Sequence, residues 1–173
     1  MDPLNERERA RIAHLLRLGA IDQAPNALLN ELAEVAALSL DCPIAIISLV
    51  AKDQIWLKAS PGIEGLDRLA RDEGLCGSAV MQDDPWVVEN AAIDVRTLAN
   101  PLVAGDFGLR FYAGVPLKGS DGHNLGMLAV IDAQPRTVSE RELSILKKLA
   151  EVVVHLIEAR LEERLLVPIT SDA

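Results

Sequence analysis

Aromatic residues are scarce in this chain. Two Trp, one Tyr and two Phe make up 3% of 173 residues, so any core must be filled by Leu, Ile, Val and Ala; half of the residues are hydrophobic, which is enough to fill one. Cysteine is scarcer: Cys42 and Cys76 alone make no disulfide framework. The His residues stand at no metal-ligand spacing, so no metal site is expected. Basic residues are outnumbered, 17 Lys and Arg against 26 Asp and Glu, and the formal charge of −9 repels nucleic acid and anionic membrane surfaces. No apolar run is long enough to span a bilayer, and the N-terminus MDPLNERERAR is charged where a signal peptide is apolar. The expected setting is the cytoplasm of a bacterial-type cell. Ser-His-Asp arrangements, a P-loop and G-x-G-x-x-G are missing as well, so no catalytic residues are assigned.

What is present is strong patterning. The stretch RFYAGVPLKGSDGHNLGMLAVID holds two apolar runs, Phe111 to Leu117 and Leu125 to Ile131, around a polar turn, which predicts a β-hairpin at the middle of a sheet. Gly114 and Gly126 leave these strands without bulk where something packs closely, and Pro116 needs an edge or a bulge. Residues 6–18 predict a helix ended by Gly19. A second helix starts after an Asn26 cap and presents Leu28, Leu29, Leu32, Val35 and Ala36 as its buried face. PIAIISLV reads as a buried strand and QIWLKA as an alternating one, with Ile55 and Leu57 opposite Trp56 and Lys58. Ser60 to Gly74 reads as irregular, Leu75 to Met81 as one or two helical turns, Pro85 to Val88 as a short strand, and Glu89 to Gly108 as the longest loop. Ser139 and Glu142 form a capping box that opens a closing helix to Leu166, stopped by Pro168. Helix, helix, hairpin, loop, hairpin, long helix is an α+β layout with a mostly antiparallel sheet.

The phrases LLRLGAID, CPIAIISLVAKDQIWLKA, LCGSAV and NPLVAGDFGLRFYAGVPLKGSDGHNLGMLAVIDAQPR, followed by the long helix, resemble a GAF domain, the small-molecule-binding sensor module of bacterial signalling proteins. The resemblance spans about residues 11–160. It implies one domain over residues 1–173, with a core at about 22–160, an N-terminal helix in 1–21 and a helix end and tail in 161–173. It also implies a central sheet of about six strands with the terminal helices on one face. A ligand cavity would lie on the other face, beneath Leu75–Met81 and the loop from Asp94 to Arg110. The output partner it implies is a histidine kinase or diguanylate cyclase domain. The chain departs from the bilin-binding members, for no Cys-His pair occurs, and from the cyclic-nucleotide-binding ones, whose Asn-Lys…Phe…Asp-Glu set is missing. The ligand and any cofactor therefore stay unassigned.

The candidate ligand-binding residues are Trp56, Cys76, Asp94, Arg96, Asn100, Arg110 and Tyr112. Arg96 and Arg110, with Asp94 and Asn100, offer donors and acceptors able to orient a polar ligand; the alternative is that Asp94 caps a turn and an Arg ties the loop down. Only one of Phe111 and Tyr112 can face the cavity, and Tyr112 offers the polar handle. Cys76 is either a reactive pocket thiol or a small buried hydrophobe, and Trp56 either closes the cavity or is structural. Three functions compete: a non-enzymatic sensor that binds a small ligand and signals through its terminal helices, a GAF-type free methionine sulfoxide reductase using Cys76, and a dimerisation scaffold with an empty pocket. The charged first helix and the long last one point to a homodimer.

Overall fold

The last helix carries its own start signal. The Ser139 hydroxyl accepts from the Glu142 backbone N–H at 3.1 Å, and the Glu142 carboxylate accepts from the Ser139 N–H at 3.0 Å, so the capping box closes in both directions. In the computed structural model, which describes residues 3–24 and 26–166, helix α5 then runs Glu140–Leu166. The Pro168 stop and the tail lie outside the described residues. Helix α1 runs Pro3–Leu18 and ends at Gly19, which takes φ +62°. Helix α2, Ala27–Leu40, starts where the Asn26 side chain accepts from the Leu28 N–H at 2.9 Å.

Six strands follow one another: β1 Ile44–Val50, β2 Gln54–Ala59, β3 Arg68–Ala70, β4 Trp86–Val88, β5 Phe111–Lys118 and β6 Asn124–Asp132. They form one sheet in the order β3-β2-β1-β6-β5-β4 with every pairing antiparallel. The central pair is β1 and β6. Gly126 is needed there because a Cβ would lie 1.7 Å from the Ser48 carbonyl oxygen of β1. Pro116 falls beyond the last residue paired with β4 and beside a register shift against β6.

Strand alternation sorts the core into two layers. Ala45, Ile47, Leu49, Phe111, Ala113, Val115, Leu128 and Val130 meet α1, α2 and α5 on one face. Ile46, Val50, Tyr112, Met127, Ala129 and Ile131 point the other way, toward two short helices, α3 Cys76–Ala79 and α4 Pro101–Ala104, and their loops. Strand β3 and helix α4 occur in stretches read from sequence as irregular. The buried face of α2 is narrower than its pattern suggests. Leu29, Ala33, Ala36 and Leu40 are buried, whereas Leu28 and Val35 are exposed, because the sheet meets only the stripe nearest it.

Candidate functional site

Strand β5 turns Tyr112 toward the loops and Phe111 toward the helices. Gly114, two residues on and on the same face, leaves room for the ring: a Cβ there would lie 2.8 Å from the Tyr112 ring and hydroxyl. The hydroxyl reaches the Cys76 sulfur at 3.2 Å, and the Trp86 ring meets Tyr112 edge-on at 5.5 Å. Burial pushes the Cys76 thiol up, and the hydroxyls of Ser48 and Tyr112 offset it only in part. Burial, then the neighbouring thiol, holds the Tyr112 phenol well above its usual range. Both groups are therefore neutral at physiological pH.

Below them lies an apolar cavity of about 60 Å³, lined by Ile46, Ile55, Leu57, Leu75, Leu109, Ile131 and neighbours, with Cys76 and Tyr112 supplying its polar atoms and half-exposed Phe107 on its wall. An open polar cleft of about 490 Å³ adjoins it and shares Gly74 and Leu75. Lys52, Asp53, Arg71, Asp72, Ser78, Arg96 and Asn100 line the cleft.

Of the residues singled out from sequence, Cys76 and Tyr112 are in the cavity and Arg96 and Asn100 on the cleft. Trp56 packs with the helix-side core, because Ile55 and Leu57 take the cavity face of β2, and its ring lies 5.5 Å from the Arg68 guanidinium. Asp94, Arg96, Asn100 and Arg110 lie outside the lining of the apolar cavity. Asp94 binds Arg96 at 2.7 Å, and the arginine's hydrogen bonds and charge hold its carboxyl below the usual range. Arg96 also donates to the Val87 carbonyl at 2.8 Å and lies 4.9 Å over Trp86. Asn100 caps α4, accepting from the Leu102 N–H. Arg110 donates to the Val103 and Leu109 carbonyls, both at 2.9 Å, and so staples the loop. An irregular loop leaves backbone groups unpaired, and these side chains satisfy them first. Ser48, Arg71 and Ser78 escaped the sequence reading; the only signal for Arg71 was its place in the charged run RDEG beside LCGSAV.

The GAF domain family model matches residues 24–157. A cyclic di-GMP phosphodiesterase of Pseudomonas aeruginosa is 33% identical over 153 residues, 88% of this chain and 26% of that protein. The chain thus spans about a quarter of that relative. Among solved structures, the GAF domain of a Coxiella burnetii phosphoenolpyruvate-protein phosphotransferase superposes with TM-score 0.66 at 17% identity, covering 94% of this chain and 99% of that one. A free methionine-R-sulfoxide reductase from Neisseria meningitidis, solved with its substrate, superposes with TM-score 0.59 at 20% identity, covering 94% and 92%. The chain belongs to the GAF domain family of sensor and regulatory modules. No helix among the described residues is long and apolar enough to cross a membrane.

Proposed function

We propose that the chain is a non-enzymatic sensor module that binds a small molecule at the joined cavity and cleft and signals through its terminal helices. The observation that carries this reading is the wall common to both spaces: Gly74 and Leu75 border the apolar cavity on one side and the polar cleft on the other. A ligand with an apolar end and a polar end fits that arrangement. The cavity is too small for more than a few apolar atoms, so the bulk of the ligand sits in the cleft. Its output is a signalling catalytic domain, and the likeness to a cyclic di-GMP phosphodiesterase supports that class of partner.

The reductase reading rests on the Cys76 thiol and the likeness in fold to reductases. Against it, Cys42 belongs to the helix-side core and Cys76 to the loop-side core, with the sheet between them. A sulfenic acid at Cys76 would lack a resolving thiol from this chain. Native mass spectrometry of the protein purified without dialysis tests the sensor reading. A retained small molecule displaced by Tyr112→Trp supports it; reductant-dependent turnover of free methionine sulfoxide that vanishes in Cys76→Ser overturns it.

A further inference from the structure

We propose that Arg71 couples the polar cleft to the seating of α1, an anionic group of the ligand drawing Arg71 away from Glu8 and loosening the helix. This rests on the cleft's being the ligand site, and it names both the ligand's charge and the route out.

Arg71 follows β3 directly, and its backbone N–H donates to the Asp53 carbonyl at 3.0 Å, which anchors it beside the β1–β2 turn. Its Nη1 donates to the Glu8 carboxylate of α1 at 2.5 Å and to the Ala51 carbonyl at 3.2 Å. Its Nη2 reaches the Met81 thioether at 3.3 Å, a weak acceptor, so strong donor capacity on the cleft residue is left for an incoming anion. The side chain keeps 20% of its surface open to solvent.

Glu8 holds a second arginine. Arg11, 4% exposed, gives Nε and Nη2 to the two Glu8 oxygens at 2.8 Å each and Nη1 to the Asn124 carbonyl of β6 at 3.1 Å. Two guanidiniums thus share one carboxylate. Arg11 is buried, bidentate and tied to the sheet, whereas Arg71 makes one bond to Glu8 from the rim of the cleft. If an anion takes Arg71, Glu8 stays satisfied by Arg11, and α1 loses only its tie to the cleft wall. Lys52 and Arg96 stand on the same cleft with Asp53 and Asp72; Asp94 grips Arg96 through both its oxygens and the Val87 carbonyl takes a third bond, whereas Glu8 holds Arg71 through one, so Arg71 is the arginine more readily drawn to a ligand, with Lys52 beside it. Gly77 fixes the geometry from below: a Cβ there would lie 2.7 Å from the Arg71 carbonyl oxygen and 2.9 Å from its Cγ, so α3 rests directly on this residue.

The coupling is reciprocal: whatever loosens α1 tightens the anion by the same factor. Inorganic pyrophosphate serves as the probe, measured by calorimetry at ionic strength matched with sodium chloride, with hydrogen exchange read over residues 6–18. Pyrophosphate is expected to bind and to speed exchange in that helix. Glu8→Gln is expected to speed it without pyrophosphate and to tighten pyrophosphate on the order of five- to tenfold. Arg71→Met, which reads the link from its other end, is expected to speed the same exchange and to abolish pyrophosphate binding. Pyrophosphate bound with unchanged exchange in 6–18 overturns the coupling, as does Arg71→Met exchanging like wild type. No pyrophosphate binding to either wild type or Glu8→Gln overturns the anionic class, while a neutral metabolite retained in native mass spectra would leave the sensor reading standing without it.

Discussion

The Tyr112 hydroxyl lies 3.2 Å from the Cys76 sulfur, with both side chains inside the protein at 1% and 2% exposure. A thiol in that setting gains little from ionising, since burial penalises the thiolate more than two hydroxyl contacts stabilise it.

Cys76 should therefore be slow to alkylate in the native protein. In a Cys42→Ser background at pH 8, iodoacetamide modification followed by mass spectrometry should run roughly tenfold or more slower than in denaturing urea. A native rate equal to the unfolded one would show that the cavity opens readily or that the thiolate is stabilised.

Two glycines of the β5–β6 hairpin should differ in their tolerance of a methyl group. At Gly126 the added carbon meets the backbone carbonyl of Ser48 at 1.7 Å, and backbone in the sheet centre has nowhere to go. Gly126→Ala should cost about 4 kcal/mol or more and give little folded protein. At Gly114 it meets the Tyr112 ring and the Met127 Cε, at 2.8 and 3.0 Å, which are ends of side chains. Gly114→Ala should cost about 1–3 kcal/mol. Urea denaturation ranks the pair, and the reverse order would contradict the close approach of β1 and β6.

The seating of α1 should depend on pH through Glu8. Burial alone would raise its pKa, but the hydrogen bonds and charges of Arg11 and Arg71 outweigh burial and set it below the ordinary value of 4.5. A carboxylate depressed in the folded state stabilises above its unfolded pKa and loses that stabilisation as pH falls through the lower folded value. Wild type should exceed Glu8→Gln in melting temperature at pH 7, and the gap should narrow below about pH 4.5. A gap that stays constant down to pH 3 would mean that the carboxylate's charge contributes nothing.

We expect a homodimer through the helical face. On α5, Leu146, Val153 and Ile157 are buried against the sheet and Leu149 and Leu156 pack half-buried at the edge of the same core, while Ile145 is half-buried outside it and Val152 is 45% exposed, which leaves apolar surface open along the helix. Leu16 on α1 and Leu28 and Leu38 on α2 are exposed as well. Light scattering at tens of micromolar should give twice the chain mass, and Val152→Glu should halve it. A wild-type monomer at that concentration would contradict the expectation.

The loop from Glu89 to Gly108 shows where local signals run out. Asn100 followed by Pro101 is a helix start legible in sequence, a cap and then a residue that needs no N–H, yet the four-residue α4 it opens is too short to carry an apolar period. Strand β3 is three residues long, exposed at both ends, and exists because β2 offers it an edge. Neither pairing partner nor edge is written in the three residues themselves.

Period and capping are local properties, so the chain by itself determined the three long helices, the strands of both hairpins, the α+β order and the family likeness. Period 2 also determined that Phe111 and Tyr112 face opposite ways and that Trp56 opposes Ile55. Which of those faces meets the helices was decided by tertiary packing, which put Trp56 on the far side from the cavity. The partners of long polar side chains were decided there too. Glu8 and Arg71 lie 63 positions apart, and their meeting depends on how α1 crosses the sheet, while Arg96 and Arg110 spend their donors on loop carbonyls that no sequence pattern marks as unpaired. A guanidinium reaches whatever acceptor the fold brings within range, and that range is set in space rather than along the chain.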